Sequence, residues 1–422
     1  MKTILVTAYA VNPYKGSEDG MGWNGILQIA RNQAVIAVTR KNNRPAIDEY
    51  FSKHPELEAS HQPITFLYYD LPKWTRWWKK GPLLSMIYFY MWQLGLPFFI
   101  KKQGIKFDVA HNFNFHNDWT PTFLWLLGKP LVWGPIGHHP LVPKDHLLKH
   151  GVSSLIKDRA LWLLKNIFWQ LDPFLWITRI KAKKIICMNS SVAAKLNLSK
   201  DKFTVIPSVA VERPTGHVAF KKQDKFTVMI AARMVPLKGF DMAIQAFASF
   251  LNTLDELEKK KTELLLIGSG PLNDSLQHLV NELDITPYCE FTPWIERKDL
   301  LKKYNDASAF LFPSHEGAGM VVAEALSYGV PVICYDNYGP GELVPPFSQL
   351  KVPVTTYNEE IQIFKNKLLD LFSSNSLQKH ESMLAQEHFN HWLHWDIRGE
   401  QYKTIYNQLF NNYEQNIRHS FA

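Results

Sequence analysis

Glu316 and Glu324 stand on either side of a strand-to-helix turn in Phe310-Leu-Phe-Pro-Ser-His-Glu-Gly-Ala-Gly-Met-Val-Val-Ala-Glu-Ala-Leu-Ser-Tyr-Gly-Val-Pro-Val-Ile-Cys334. Ala309–Phe312 is a short apolar run stopped by Pro313, and Met320–Tyr328 is a helical run closed by Gly329 and Pro331. Turns of this kind are where open α/β sheets bind ligands. Two readings of the pair compete. In one, Glu316 merely complements a helix N-terminus and Glu324 points to water. In the other, Glu324, set among Val321, Val322, Ala323, Ala325 and Leu326, is a carboxylate too costly to bury unless something hydrogen-bonds it. A polyhydroxylated ligand would do so.

A second group of charges lies about eighty residues earlier. In Ala232-Arg-Met-Val-Pro-Leu-Lys-Gly239, Arg233 and Lys238 flank another strand-to-helix turn, so two cations can converge on the N-terminus of the helix that starts at Phe240. A pyrophosphate suits that site electrostatically, although exposed cations in a loop are also often just solvated. Near the N-terminus, Lys15-Gly-Ser-Glu-Asp-Gly-Met-Gly-Trp23 follows a first strand, and Gly16, Gly20 and Gly22 would let backbone amides approach a ligand. Ordinary turn chemistry explains such a loop equally well. His111, His116, His138 and His139 fall in two loops without the spacing of a metal site, so no metal is expected.

Taken together, a Glu, seven residues and a second Glu, preceded by apolar-Pro-Ser and followed by Ala-Leu-x-x-Gly-x-Pro-Val, resembles the donor-binding signature of retaining glycosyltransferases of family 4. The resemblance implies a GT-B fold, in which two doubly wound, Rossmann-like domains face each other across a cleft. It implies that Glu316 faces the hydroxyls of the donor sugar, that Glu324 holds the ribose, and that Arg233 and Lys238 lie on the diphosphate. Gly317, Gly319, Met320 and Val321 complete the expected donor turn, and Gly16, Gly20 and Gly22 match the loop that reaches the donor phosphate in the family. A histidine after the fourth N-domain strand lies near the donor sugar there; His111 or His116 fills that place, His111 being preferred for its position and His116 then falling on the expected acceptor side. The related bacterial subset reads Gly-Pro-x-Gly-Gly-Gly where this chain has Gly134-Pro-Ile-Gly-His-His139, so His138 and His139 replace glycines on the expected acceptor side. Cations on the diphosphate would stabilise charge on the leaving group, and no Asp-x-Asp motif for a divalent ion accompanies them. The expected cofactor set is therefore empty, the nucleotide-sugar being a substrate.

The elements that must position these residues follow from the pattern. From Phe226 onward, apolar runs at Phe226–Ala231, Glu263–Ile267, Cys289–Thr292 and Ala309–Phe312 alternate with helical periods at Phe240–Leu254, Leu272–Leu283 and Asp299–Ala307. That order requires right-handed crossovers and a parallel sheet. The first half repeats the theme with strands expected at Lys2–Ala8, Ala34–Thr39, Ile64–Tyr69, Phe107–Ala110, Pro130–Trp133 and Lys184–Met188, and a helix at Gly22–Asn32. The domains are read as 1–200, 201–385, and a helical segment 386–422 that resembles the helix crossing back to the first domain in GT-B enzymes.

Composition narrows the partners. The 422 residues contain 46% hydrophobic and 20% charged residues, a globular balance. Cys187, Cys289 and Cys334 have neither metal nor disulfide spacing, which fits a reducing cytoplasm. The opening Met1–Ala10 reads as a strand rather than a secretory signal. A net charge of +8 calls for an anionic partner. Nucleic acid lacks any supporting motif. Leu71–Gly104 interleaves Lys73, Arg76, Lys79, Lys80, Lys101 and Lys102 with tryptophans and has no acid, a pattern suited to anionic headgroups at the inner face of the cytoplasmic membrane. Within it, Leu83–Ile100 is read as a helix docked on the first sheet, because Gln93, Gly95 and Pro97 interrupt a membrane span. The aromatic run Ser153–Ile180 is read as core packing.

The expected function is a glycosyltransferase that moves a sugar from a nucleotide-sugar to a cell-surface polysaccharide or lipid-linked oligosaccharide. Two other classes remain open on sequence: a non-catalytic sugar-nucleotide-binding component of a polysaccharide assembly complex, and a GT-B phosphorylase or epimerase.

Overall fold

The structure, a computed structural model, describes residues 2–75, 81–113, 117–214, 220 and 223–420. Arg76, Lys79, Lys80 and His116 lie outside them. Two compact units divide the chain: Met1–His138 with Leu163–Ser208 and Trp395–Ala422, and His139–Trp162 with Val209–His394.

Among the described residues the first unit holds seven strands, β1 (Thr3–Ala8), β2 (Ala34–Thr39), β3 (Ile64–Tyr68), β4 (Val109–Phe113), β5 (Leu131–Ile136), β6 (Ala182–Cys187) and β7 (Phe203–Val205). All pair in parallel, in the order β3-β2-β1-β4-β5-β6-β7, with Val6 opposite both Ala37 and His111. The second unit holds β8 (Phe226–Ala231), β9 (Thr262–Ile267), β10 (Cys289–Thr292), β11 (Ala309–Phe312), β12 (Val332–Tyr335) and β13 (Lys351–Val352), also parallel, in the order β10-β9-β8-β11-β12-β13. Each sheet is doubly wound, as expected. Parallel strands covered on both faces must be apolar throughout; β8 and β11 are buried at every residue. Helix Phe240–Leu251 presents Phe240, Ile244, Phe247 and Leu251 to the core beside β8, all at most 1% exposed.

Three differences from the sequence reading matter for the site. The first long helix begins at Ser17, not Gly22, so Gly20 and Gly22 are helical and buried. There, a Cβ on Gly20 would come within 2.3 Å of the Lys15 carbonyl oxygen, and close packing rather than turn geometry calls for glycine. Residues 139–162 belong to the second unit, and only the part of the closing segment from Trp395 belongs to the first. The polar contacts of a short helix, Lys144–Leu148, and of His150 just after it supply the reason. Asp145 accepts the Tyr357 N–H at 2.9 Å, the His146 Nε2 lies 2.9 Å from Glu360 Oε2, and His150 Nε2 lies 3.4 Å from Asp241 Oδ1.

Helix Gly81–Lys102 runs through Gly95 and Pro97 and docks on the first sheet. Gln93, inside it, is buried and accepts from Asn112 Nδ2 at 3.3 Å and Thr122 Oγ1 at 3.4 Å. Among the described residues no helix is long and apolar enough to cross a membrane. Of the aromatic run, Trp169 is buried, whereas Phe174 and Trp176 are exposed.

Candidate functional site

In the second sheet the strand order reverses between β8 and β11, the switch point outside which doubly wound sheets bind ligands. The loops leaving these two strands carry Arg233, Lys238 and Glu316. After β8, Arg233 is exposed, and a single turn, Pro236–Lys238, ends at Gly239 with φ 67°. A Cβ on Gly239 would lie 2.1 Å from the Pro313 carbonyl oxygen, so both the left-handed backbone and the close approach of the β11 loop demand glycine. The two loops are tied together: the His315 N–H donates to Leu237 O at 3.1 Å and the Ser314 hydroxyl donates to the same oxygen at 3.2 Å.

This tie brings Lys238 Nζ onto Glu316 Oε2, with the two side chains 18% and 17% exposed. The other oxygen, Glu316 Oε1, is buried and has no protein partner among the described residues. Burial raises the Glu316 pKa, and the Lys238 ammonium partly offsets that rise. An acceptor oxygen buried without a donor costs about 1–3 kcal/mol, which a ligand hydroxyl would recover. Beneath the turn, Gly339 passes so close that a Cβ there would meet the Glu316 carbonyl, and Asn337 Nδ2 donates to Ser314 O at 3.0 Å. The Gly317 N–H donates to His139 Nδ1 at 3.0 Å.

Behind Glu316 lies a polar cluster that sequence reasoning missed. His315 is buried, stacks on Tyr335 at 4.5 Å, and its Nε2 lies 3.2 Å from His146 Nδ1. Burial, with His146 nearby, pushes the His315 pKa down to about 4. The Tyr335 hydroxyl donates to Glu360 at 2.7 Å. Burial raises the pKa of Asp241, and bonds from His150 and Tyr357 outweigh it to leave a net lowering.

Glu324 occupies the helix Met320–Ser327 and is 3% exposed. Arg297 Nε donates to its Oε1 at 2.9 Å, and Tyr304 donates to the Val321 carbonyl at 3.2 Å. Burial raises the Glu324 pKa against the pull of Arg297 and Tyr304. The reading in which Glu324 points to water therefore fails, and Arg297 is its protein partner. Gly317 and Gly319 are buried, while Met320 and Val321 are half-buried at the head of that helix.

The first-unit residues are arranged differently. Gly16 precedes its helix, whose first turn carries Glu18 and Asp19, and Gly20 and Gly22 pack inside it. His111 has no exposed surface: its Nε2 donates to Gly134 O at 2.7 Å, leaving Nδ1 to accept the Tyr406 hydroxyl at 2.6 Å. Burial pushes its pKa down to about 4. His111 is thus a neutral core histidine with both nitrogens engaged, a correction to its expected place beside the sugar. His138 is buried with Nδ1 2.7 Å from Asp118 Oδ2, whereas His139, in the second unit, braces the Glu316 turn. His139 thus touches the turn expected to hold the donor, although the sequence placed it on the acceptor side.

Residues 216–385 match the family described as glycosyl transferases group 1. A GDP-mannose-dependent alpha-(1-6)-phosphatidylinositol monomannoside mannosyltransferase of Mycolicibacterium smegmatis is 32% identical over 131 residues, 29% of this chain and 32% of that protein. The matched segment thus spans about a third of that relative's length. A glycosyltransferase from Rickettsia africae superposes with a TM-score of 0.62 at 14% identity, covering 97% of this chain and 99% of that one. Anabaena HepE in complex with UDP does so at 0.59 and 13%, covering 97% and 100%. The fold is GT-B, with two Rossmann-like units.

Proposed function

We propose that the chain is a metal-independent, retaining glycosyltransferase of the family 4 type, taking a sugar from a nucleotide-sugar to a saccharide or lipid-linked saccharide at the cytoplasmic membrane face. The observation that carries this reading is the β8/β11 switch point, where Lys238 meets a glutamate with one buried oxygen unpartnered among the described residues, and where the loop after β8 also carries the exposed Arg233. In this reading the donor diphosphate draws Lys238 and Arg233, and Glu316 accepts a sugar hydroxyl through its free oxygen. Glu324, oriented by Arg297, accepts from the ribose.

In this reading, charge that builds on the β-phosphate as the sugar–oxygen bond breaks is stabilised by Lys238, held in place by Glu316, and by Arg233 of the same loop, which lowers the barrier selectively. The acceptor hydroxyl attacks the anomeric carbon on the face the nucleotide leaves, and its proton passes to the departing phosphate oxygen. The named relatives support glycosyl transfer, the M. smegmatis protein using GDP-mannose and HepE binding UDP. A test panel therefore needs both bases.

Thermal shift against UDP, GDP and ADP tests the reading, because a nucleotide at a hundred times its dissociation constant adds about 2.7 kcal/mol. One of them should stabilise the wild type, and Lys238→Ala and Arg233→Ala should abolish the shift. No shift with any of the three would sink the assignment.

A further inference from the structure

Helix Gly81–Lys102 is apolar on nearly every side. Its inward face is Tyr88, Trp92, Leu96 and Ile100, each four residues apart and buried. Ile87, Met91, Leu94 and Phe98 recur at offsets that return to one other face, and all four are exposed, Phe98 by 64%. A helix apolar all round is ordinarily buried all round; here one stripe has no cover within the first unit.

A second helix, Val152–Leu171, packs beside it. The Tyr90 hydroxyl donates to Asp172 at 3.0 Å, and the Tyr90 and Phe168 rings lie 6.1 Å apart. Leu163, Ile167 and Leu171 form another exposed stripe, continued by Phe174, Trp176 and Ile180 on helix Pro173–Lys181. Ten of the first unit's twelve large exposed apolar side chains, among the described residues, lie on these three stretches, so the exposure is concentrated rather than scattered. An apolar cleft of about 230 Å³ opens between the helices, with Met86, Ile87, Tyr90, Met91, Leu164 and Phe168 in its wall.

Charge decides what covers the face. Residues 81–102 contain no acid, and residues 163–184 contain one, Asp172, which is buried and caps its helix through Phe174 and Leu175. Lys101, Lys102, Lys181 and Lys183 are exposed at or just beyond the helix ends. A second copy of the chain would set these cations against each other. An anionic bilayer matches both features, the stripes entering the boundary between headgroups and acyl chains while the lysines meet phosphates. We infer that the face formed by helices Gly81–Lys102 and Pro173–Lys181 and by the first-unit part of Val152–Leu171, from Leu163 onward, seats on an anionic lipid bilayer, with the cleft open to a hydrocarbon chain. The inference deepens the membrane-side acceptor of the proposed function and rests on that reading for its purpose.

Vesicle sedimentation of the full chain tests it, without nucleotide or acceptor, so its failure leaves the nucleotide assay standing and the reverse. Vesicles of phosphatidylcholine with a third phosphatidylglycerol should bind the protein, in a salt-sensitive way, and phosphatidylcholine alone far less. Phe98→Glu with Leu171→Glu, both at exposed positions, should weaken binding by about tenfold or more at unchanged melting temperature. Wild type that ignores anionic vesicles, or a double variant that binds them as wild type does, overturns the proposal. So does a wild-type dimer on size-exclusion chromatography that the same substitutions dissociate without altering vesicle binding.

Discussion

Lys238→Met isolates what the ion pair contributes to the donor turn. The two side chains are each less than one-fifth exposed, and Glu316 has no protein donor on its second oxygen among the described residues. Stripping the cation from a fully buried pair costs about 3–5 kcal/mol; the residual exposure and salt reduce that to about 2–3 kcal/mol. For a unit of this size that is a fall of roughly 5–10 °C in melting temperature. The sign of the pH dependence follows from linkage. Burial holds the folded-state pKa of Glu316 above its ordinary value of 4.5, so between the two values the folded chain binds more protons than the unfolded one. Stability therefore falls as pH rises through that window. Removing Lys238 raises the folded pKa further, which makes the cost of Lys238→Met small near pH 4 and full at pH 7.5. Calorimetry of wild type, Lys238→Met, Glu316→Gln and the double variant at both pH values reads this directly. The double variant should recover at least about 1 kcal/mol relative to the sum of the singles. Equal cost at the two pH values, or simple additivity, would refute the coupling.

Gly239→Ala should destabilise the second unit by about 1–2 kcal/mol from the left-handed backbone alone, with a further loss from the clash on the Pro313 carbonyl; a melting temperature within 1–2 °C of wild type would contradict it. Burial holds His111 near pKa 4, so an unfolded chain titrating near 6.5 binds a proton that the folded one refuses. Stability present above pH 6.5 is lost as pH falls toward 4, by about 3 kcal/mol for this residue. His111→Gln should flatten that slope in melting temperature between pH 7 and 4.5, and an unchanged slope would place the titration elsewhere, His315 being the other buried histidine with the same sign.

The ease with which the elements were read varied for physical reasons. Strands Ala34–Thr39, Phe226–Ala231 and Ala309–Phe312 have the expected bounds because a strand largely buried in a parallel sheet is an apolar run between polar stops. Helix Arg44–Lys53, with only Ile47 buried, offers almost no apolar period and was not anticipated. The glycines of Lys15–Trp23 suggested a loop, since glycine is a poor helix former. Packing overrode propensity there. His111 occupied the position the family pattern favours, yet nothing local says that Tyr406, nearly three hundred residues away, closes over its ring.

By itself the sequence determined two parallel doubly wound sheets and the turns bearing Arg233, Lys238, Glu316 and Glu324, because apolar runs, turn residues and charges next to strand ends are local signals. Tertiary structure alone decided which of those groups meet. It set Lys238 on Glu316 from 78 residues away, gave Glu324 to Arg297, and put His146 behind His315 across 169 residues. It also placed His138 and His139 in different units. Hydrogen bonds and burial depend on distances in space, and chain spacing carries no record of them beyond a few residues.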